Sequence, residues 1–194
     1  MERFEQAVAI FDKINAGDPH KVLCDGVETP ETLCHTRRLS SWLAKLAPSA
    51  SEALKLAGHC QHLKRWETPR DSYPEGKKGY LQWRAAQAIF HAKESSAVLE
   101  QVGYDEAVIN RVMDINKKKG LRNDPEVQVM EDALCLVFLE FEALTFAAKH
   151  PREKVVDIIR KTWGKMSMRG HAEARSLQMN SALQSIIEDA LQES

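Results

Sequence analysis

The sequence predicts an all-α fold, a single compact multi-helix bundle. Apolar residues recur at helical spacing along most of the chain, beginning with Phe4, Ala7, Phe11 and Ile14. Proline and glycine divide this pattern into segments of helix length, and no run alternates apolar and polar residues as a half-buried strand would. The chain has 194 residues, enough for one domain with a buried core. We therefore expect one all-helical domain over residues 1–194 and no β-sheet.

Caps and breakers mark the first three helices. The first helix stops at Gly17, which precedes Asp-Pro. Thr29 followed by Pro30 has the preferred N-cap and first-turn residues and begins the second helix. Ser49, with Glu52 three residues later, has capping-box spacing and begins the third, which is predicted to run to about residue 62.

The later helices are predicted from the same signals. The fourth spans about residues 79–102, and Asp105 caps the fifth. Asp124 and Pro125 begin the sixth helix, whose centre at residues 133–139 is apolar on most of its circumference. A helix of that kind belongs in the middle of a bundle. Residues 151–194 are expected to form a C-terminal helical extension.

Composition limits the class of protein. Apolar residues make up 43% and charged residues 28% of the chain, and the net charge is -1. These values fit a globular protein and argue against one that coats nucleic acid. No apolar run approaches the roughly 18 residues of a membrane span, and the N-terminus is acidic where a secretory signal is basic. We expect a cytoplasmic protein without membrane contact.

The four cysteines show neither CxxC spacing nor the density of a small secreted domain. They are Cys24, Cys34, Cys60 and Cys135. Free thiols are expected at all four positions.

Four histidines are candidate metal ligands, each with a simpler alternative. His35 shares the apolar stripe of the second helix, so it is either a core residue or a ligand that points into the bundle. His59 and His62 stand three apart and can project from one face, as metal ligands or as a solvated helix end. His91 has small, apolar neighbours, which favours either close helix packing or an inward-facing polar site.

Asp132 is the most informative single residue. It lies on the sixth helix, which is apolar almost all round, so its carboxylate is expected to be at least half buried. A buried charge needs a cation, a metal ion or dedicated hydrogen bonds. The alternatives are an ion pair with an arginine and a ligand role.

Arginines and tryptophans concentrate in residues 58–84, a segment that interrupts the helical pattern. Guanidinium groups stack on aromatic rings and bind phosphate or carboxylate with two parallel hydrogen bonds. If Arg65, Arg70 and Arg84 converge, they form an anion pocket. If they pair with nearby acids instead (Glu67, Asp71 or Asp132), they form a structural lock.

Four segments together resemble the HD-domain superfamily of metal-dependent phosphohydrolases over roughly residues 30–145. The segments are CHTRRLSSWLAKL, GHCQHLKRW, HAKESSAVLEQVGYDEAVINRVMDI and DPEVQVMEDALCLVFLE. The resemblance implies a divalent cation held by a histidine, an adjacent His-Asp pair and a distant aspartate, with His35 as the first ligand and Asp132 as the last. Gln61 and His62 stand where the His-Asp pair is expected, so His59, His62 or His91 would have to replace it.

The chain also resembles an uncharacterised family, a domain of unknown function, over almost its whole length. The segments QHLKRWETPRDSYPEGKKGYLQWR, MEDALCLVFLEFE and KTWGKMSMRGH carry this resemblance. Some members are labelled glutamyl-tRNA synthetase, and residues 165–169 resemble the KMSKS loop of class I synthetases. Without alternating strands and helices, however, the sequence does not predict the nucleotide-binding sheet of those enzymes.

These observations lead to one main functional hypothesis. We expect a pocket walled by the five candidate metal ligands (His35, His59, His62, His91 and Asp132), with catalytic roles for four residues (His62, Arg65, Arg70 and Arg84). It would bind a phosphate-bearing small molecule, with a divalent metal ion, and hydrolyse it. The alternative is a non-catalytic module that binds an anionic ligand or RNA, with bases stacked on Trp66 and Trp83. A third interpretation makes residues 58–84 a scaffold for folding or dimerisation.

Overall fold

A computed structural model describes residues 2–192, and helices account for most of them. The α-helices are α1 (Arg3–Asn15), α2 (Glu31–Leu46), α3 (Glu52–Cys60), α4 (Gly76–Gln101), α5 (Glu106–Asn116), α6 (Pro125–Val137), α7 (Ala143–Lys149), α8 (Arg152–Trp163), α9 (Met168–Ser176) and α10 (Ser181–Gln192). Short 3₁₀ turns occur at Arg65–Glu67 and Arg70–Ser72, and a π-helical turn at Phe138–Glu142. The predicted all-α class is confirmed.

The expectation of no sheet is wrong for one short hairpin. Strands β1 (Lys21–Cys24) and β2 (Val27–Pro30) pair antiparallel, with Cys24 opposite Val27. Asp25 and Gly26 connect them, with φ angles of 51° and 81°. Positive φ at both central residues is the type I′ arrangement, which Asp-Gly favours. This dipeptide was the available signal, but the short strands do not alternate apolar and polar residues.

The expectation of four free thiols is wrong for two of the cysteines. Cys24 at the end of β1 and Cys34 in α2 form a disulfide, with their Cα atoms 5.8 Å apart. Cys60 and Cys135 are free and buried. The hairpin places Cys24 beside the first turn of α2, a proximity that residue spacing alone does not reveal. The disulfide therefore joins the hairpin to α2 at the residue before His35.

Reduction of this disulfide is expected to lower the free energy of unfolding by about 2–3 kcal/mol, because the bond closes a short loop in the unfolded chain. Urea unfolding with and without reductant measures the loss. The variant with both Cys24 and Cys34 replaced by serine is the control, and reductant should leave its unfolding curve unchanged. Equal stability of the oxidised and reduced wild-type protein would contradict the expectation.

Two predicted helix caps are confirmed and two are displaced. The Asp105 and Asp124 side chains accept hydrogen bonds from the first turns of α5 and α6, as predicted. Ser51, rather than Ser49, caps α3, and the N-cap position of α2 is Pro30 rather than Thr29. The first turn of α2 is capped from the preceding loop: Asp18 accepts hydrogen bonds from Thr32 N at 3.0 Å and Thr32 Oγ1 at 2.6 Å.

The main core lies where α2, α3, α5 and α6 pack together. The apolar centre of α6 is in this core, as predicted, with Ala133, Leu136 and Val137 fully buried. A second apolar cluster forms where α8 packs on α10, and Phe138 contacts both clusters. Within residues 2–192, no helix is both long and apolar enough to cross a membrane.

Candidate ligand-binding site

A cavity of about 370 Å³ lies beside the core. Its walls come from α2, the segment after α3, α4, the turn after α5, α6 and the π-helical turn. Its charged and histidine lining includes His35, His62, Arg65, His91, Glu131 and Glu142. The lining therefore includes three of the four histidines singled out by the sequence, together with carboxylates and an arginine.

The rings of three histidines form a row. The ring centroids of His35 and His62 are 4.5 Å apart, and those of His62 and His91 are 6.1 Å apart. Each ring comes from a different part of the chain: α2, the turn after α3, and α4. The three histidines meet because α3 ends at Cys60, which lets the following turn pass between α2 and α4.

His91 is a buried, neutral hydrogen-bond acceptor. Its Nδ1 lies 2.8 Å from the carbonyl oxygen of Leu63, so Nδ1 carries the proton and Nε2 keeps its lone pair. Burial lowers the pKa of His91, the Leu63 carbonyl raises it and the nearby cation Arg65 lowers it, and together these effects place the pKa at about 4. The ring therefore stays neutral at physiological pH.

His35 is oriented by a carboxylate. Its Nδ1 lies 3.1 Å from Glu142 Oε1, so Nδ1 donates and Nε2 is the free ring nitrogen. Burial raises the pKa of Glu142, but the His35 hydrogen bond and the nearby cations Arg65 and Arg38 outweigh it and hold this pKa below its usual value. Glu142 reaches His35 because the π-helical turn after α6 rotates the chain toward α2.

Arg65 holds the central histidine. Its Nη1 donates to His62 Nε2 at 2.7 Å, and its guanidinium carbon lies 4.8 Å from the centroid of the Trp83 ring. Burial and the charge of Arg65 lower the pKa of His62 well below its usual value. His62 is therefore neutral, with its Nε2 lone pair already engaged. Burial also lowers the pKa of Arg65, although Glu142 opposes this effect.

A buried glutamate forms another part of the wall. The Glu131 side chain is 2% exposed and contacts the ammonium group of Lys118. Lys165 Nζ lies 3.8 Å from its Oε1. The sequence signal for Glu131 was available, because it lies four residues after the buried Val127 on a helix that is apolar all round. We instead singled out its neighbour Asp132.

Asp132 lies outside this cavity and binds the segment before α9. Its Oδ1 accepts from Ser167 N at 2.8 Å and from Gln128 Nε2 at 3.0 Å, and its Oδ2 accepts from Ser167 Oγ at 2.5 Å. Ser167 in turn caps α9 through Gly170 N. The carboxylate is buried, as predicted, but hydrogen bonds rather than an arginine compensate its charge.

His59 also lies outside the cavity. It faces α1, where its Nδ1 is 3.4 Å from Asp12 Oδ1 and its ring packs edge-on against Phe4 at 6.4 Å between centroids. His59 and His62 are therefore directed to different neighbours, because α3 ends between them and the helical spacing of three does not continue.

The three arginines have different environments. Arg65 lies in the cavity wall, and Arg84 is exposed at the cavity rim, 5.8 Å from the Tyr80 ring centroid. Arg70 donates to the carbonyl oxygens of Tyr73 and Pro74, both at 2.9 Å, and so closes its own loop. Within residues 2–192, none of the three arginines has a carboxylate oxygen within 4.0 Å. The predicted ion-pair lock is absent from this part of the chain, and Arg70 forms a lock with carbonyl groups instead.

A second group of ligand-type side chains surrounds the loop before the hairpin. Within the described residues, Asp18, His20 and Glu31 are the group of three whose ligand atoms all lie within 4.8 Å of one another. Asp18 is buried, but its carboxylate already accepts from His20 N at 2.9 Å and from Thr32. Burial raises the pKa of Asp18, and these hydrogen bonds more than offset that effect. The Asp18 carboxylate of this group therefore caps the first turn of α2.

The neutral state of His91 predicts a pH-dependent stability. The pKa of His91 is about 4 in the folded protein and about 6.5 in the unfolded chain. Because the unfolded state binds the proton more readily between these values, stability falls as the pH falls through this range. Proton uptake by His91 in the unfolded chain should by itself lower the free energy of unfolding by about 2 kcal/mol between pH 7 and pH 5.

Urea unfolding at pH 7 and pH 5 measures this loss, and His91→Gln is the matched variant because it cannot titrate. The variant should lose distinctly less stability than the wild type over this range, and both should be insensitive to pH between 7 and 8. If the two proteins lost the same stability between pH 7 and pH 5, the expectation that His91 takes up its proton mainly in the unfolded state would be wrong.

Comparison with known proteins shows the family of this chain. Residues 5–187 match the family described as a domain of unknown function, DUF4202. Neither the curated proteins nor the solved structures gave a significant match. Because the family match spans nearly the whole chain, the cavity lies within the matched region, and the protein belongs to the DUF4202 family of domains of unknown function.

Proposed function

We propose that the histidine-lined cavity binds a small molecule that carries a phosphate group. The observation that carries this proposal is the guanidinium of Arg65, which is partly buried between His62 and Trp83 and has no carboxylate within 4.0 Å in residues 2–192. Glu142 acts on this charge only from beyond 4.0 Å, and withdrawing a cation from water without a directly bonded anion is costly. A ligand phosphate would compensate this charge with two parallel hydrogen bonds.

The other charges of the cavity favour the same ligand. Its lining contains five cationic side chains but only two carboxylates, Glu131 and Glu142. The cations are Arg65, Arg84, Lys117, Lys118 and Lys165. These side chains give the cavity a net positive charge, which raises the local concentration of anions.

A divalent metal ion is less well supported than the phosphate. His35 Nε2 and His91 Nε2 have suitable lone pairs, but His62 Nε2 is engaged by Arg65 and Asp132 by Ser167. Within the described chain, no three ligand atoms of these side chains lie within 4.8 Å of one another. The residues thus do not fit the three-ligand centre that the resemblance to HD-domain proteins implies.

Hydrolysis of the bound ester is a second candidate function, favoured by the pairing of His35 with Glu142. A carboxylate that fixes Nδ1–H leaves Nε2 as a general base. In this reaction Nε2 takes a proton from water, the water oxygen bonds to phosphorus, and the ester P–O bond breaks. The leaving oxygen gains the proton, so the products are an alcohol and inorganic phosphate. Arg65 would stabilise the charge on the transferring phosphoryl group.

RNA binding is less favoured because of the position of Trp83. Stacking of bases requires an accessible aromatic face. The Trp83 residue is 7% exposed, Arg65 covers one face of its ring, and its Nε1 donates to Thr68 O at 2.9 Å. A small ligand that enters the cavity needs no such face.

Calorimetric titration with matched pairs, such as ribose 5-phosphate and ribose, tests the binding proposal. We expect binding of phosphate esters and no binding of their unphosphorylated counterparts. Failure of every phosphate ester to bind at low ionic strength would overturn the proposal. Release of inorganic phosphate, assayed with and without added manganese, then separates a binding protein from a hydrolase.

A further inference from the structure

Unpartnered hydrogen-bond acceptors are concentrated in this cavity. In residues 2–192, six buried side-chain acceptor atoms without a hydrogen-bond partner belong to its lining residues. One of them, Glu131 Oε2, forms an ion pair with the Lys118 ammonium group, which leaves five. They are His35 Nε2, Gln61 Oε1, Gln87 Oε1, His91 Nε2 and Asn116 Oδ1. A buried polar atom without a partner costs free energy, so a group of them in one cavity indicates a ligand or ordered water that supplies donors.

The orientation of two of these acceptors is fixed by their other contacts. Gln87 Nε2 donates to Thr68 O at 2.7 Å, and His91 Nδ1 donates to Leu63 O at 2.8 Å. A carbonyl oxygen can only accept, so neither the amide nor the imidazole can be turned round without losing its hydrogen bond. Gln87 Oε1 and His91 Nε2 are therefore acceptors on the opposite side of each group.

The two acceptors also lie together. Gln87 and His91 are one turn apart on α4, so their side chains leave the same face of the helix. The residues are 5% and 8% exposed, and both line the cavity. Their pairing gives a ligand two neighbouring positions at which O–H or N–H groups would be bound.

We infer that Gln87 and His91 form a subsite for hydroxyl groups, and that the ligand is a hydroxylated phosphate ester such as a sugar phosphate. This inference rests on the proposed function and specifies the part of the ligand that Arg65 does not bind. The phosphate compensates the cations, and the hydroxyl groups satisfy the buried acceptors. An alkyl phosphate would compensate the same cations but leave the acceptors unpartnered, which a polar site discriminates against.

Two pairs of probe compounds test the subsite, and the members of each pair differ only in their hydroxyl groups. Ribose 5-phosphate is compared with tetrahydrofurfuryl phosphate, which keeps the five-membered ring and the phosphate. Glycerol 3-phosphate is compared with propyl phosphate. Calorimetric titration of the full chain should show that the hydroxylated member of at least one pair binds about 10-fold more tightly, because it forms at least one hydrogen bond to each acceptor.

Gln87→Met and His91→Phe each remove one acceptor while keeping much of the side-chain volume. Each substitution should reduce the preference for the hydroxylated ester by about 3- to 10-fold and change the affinity for the alkyl phosphate by less than about 2-fold. Ser95→Ala is the control, since Ser95 is buried on α4 and its Oγ donates to His91 O, but it does not line the cavity. It should keep the full preference.

The outcomes separate this inference from the proposal on which it rests. If no phosphate ester binds, the proposed function fails. If both members of each pair bind equally, the phosphate site stands and the hydroxyl subsite is overturned. A preference that survives in both folded acceptor variants also overturns it. If the variants instead lose a bound metal ion, measured by elemental analysis, then His91 is a metal ligand and the subsite assignment is wrong. Melting temperatures identify a variant that fails to fold, in which case the other variant decides.

Discussion

Replacement of Arg65 by glutamine is expected to weaken the binding of a phosphate ester by about 30- to 1,000-fold, because it removes the central cation of the cavity. Glutamine can still donate a hydrogen bond but carries no charge. Arg65→Lys should give an intermediate loss, since an ammonium group keeps the charge but cannot bind phosphate with two parallel hydrogen bonds. Calorimetric titration with ribose 5-phosphate measures both effects.

A structural role for Arg65 would give a different result, because a folded Arg65→Gln chain would then keep its ester affinity. The charge of Arg65 is one cause of the lowered pKa of His62. Arg65→Gln should therefore raise this pKa, measured by NMR titration, while the chain remains folded. Arg37→Gln is the matched control, because Arg37 is an exposed arginine of α2 that does not line the cavity. Unchanged ester affinity in folded Arg65→Gln would contradict the proposed binding role.

The sequence predicts the helices of this protein well because local signals determine them. Asp105 and Asp124 cap α5 and α6 through hydrogen bonds to residues two or three positions away. Such contacts are encoded within one turn of chain. The disulfide between Cys24 and Cys34 was missed for the opposite reason, since it depends on a hairpin that had not been predicted.

The candidate site could be predicted only in part. His35 was identified because the helical repeat places it beside the apolar stripe of α2. The choice of Asp132 over Glu131 failed to locate the carboxylate that α6 contributes to the cavity, because α6 is apolar on almost every side and periodicity cannot tell two adjacent positions apart. The residues differ by about 100° around the helix axis, enough to place one in the cavity and the other against α9.

The segment that contains Arg65 and Arg70 shows a second limit on what the sequence can predict. Arg65 and Arg70 lie five residues apart in a stretch without helical periodicity, and sequence gives no reason to treat them differently. Their roles depend on the partners that the loop brings to them: His62 and Trp83 for Arg65, and backbone carbonyls for Arg70. Irregular segments are determined by such tertiary contacts, so the residue type alone identified candidates without assigning roles.

Asp132→Ala is expected to lower the free energy of unfolding by about 3–5 kcal/mol, because it removes a buried carboxylate and leaves three partly buried donor groups of Ser167 and Gln128 without their acceptor. Asp132→Asn should cost less, since the amide oxygen can still accept one hydrogen bond. Asp157→Ala is the matched control: Asp157 pairs with Lys161 in an exposed contact, so its loss should change stability by less than about 0.5 kcal/mol. Urea unfolding measures all three variants.

The contact between Asp132 and the start of α9 can be tested from the other side. A Cβ atom added at Gly170 would lie 2.8 Å from the Asp132 carboxylate, so Gly170→Ala should also destabilise the protein, by about 1–3 kcal/mol. A double-mutant cycle between Asp132→Ala and Ser167→Ala should give a coupling energy above about 0.5 kcal/mol.

Under conditions where Asp132→Ala is folded, its affinity for a phosphate ester should match that of the wild type. A loss of bound metal ion and of ester affinity, without a loss of stability, would instead assign Asp132 to the ligand set implied by the resemblance to HD-domain proteins.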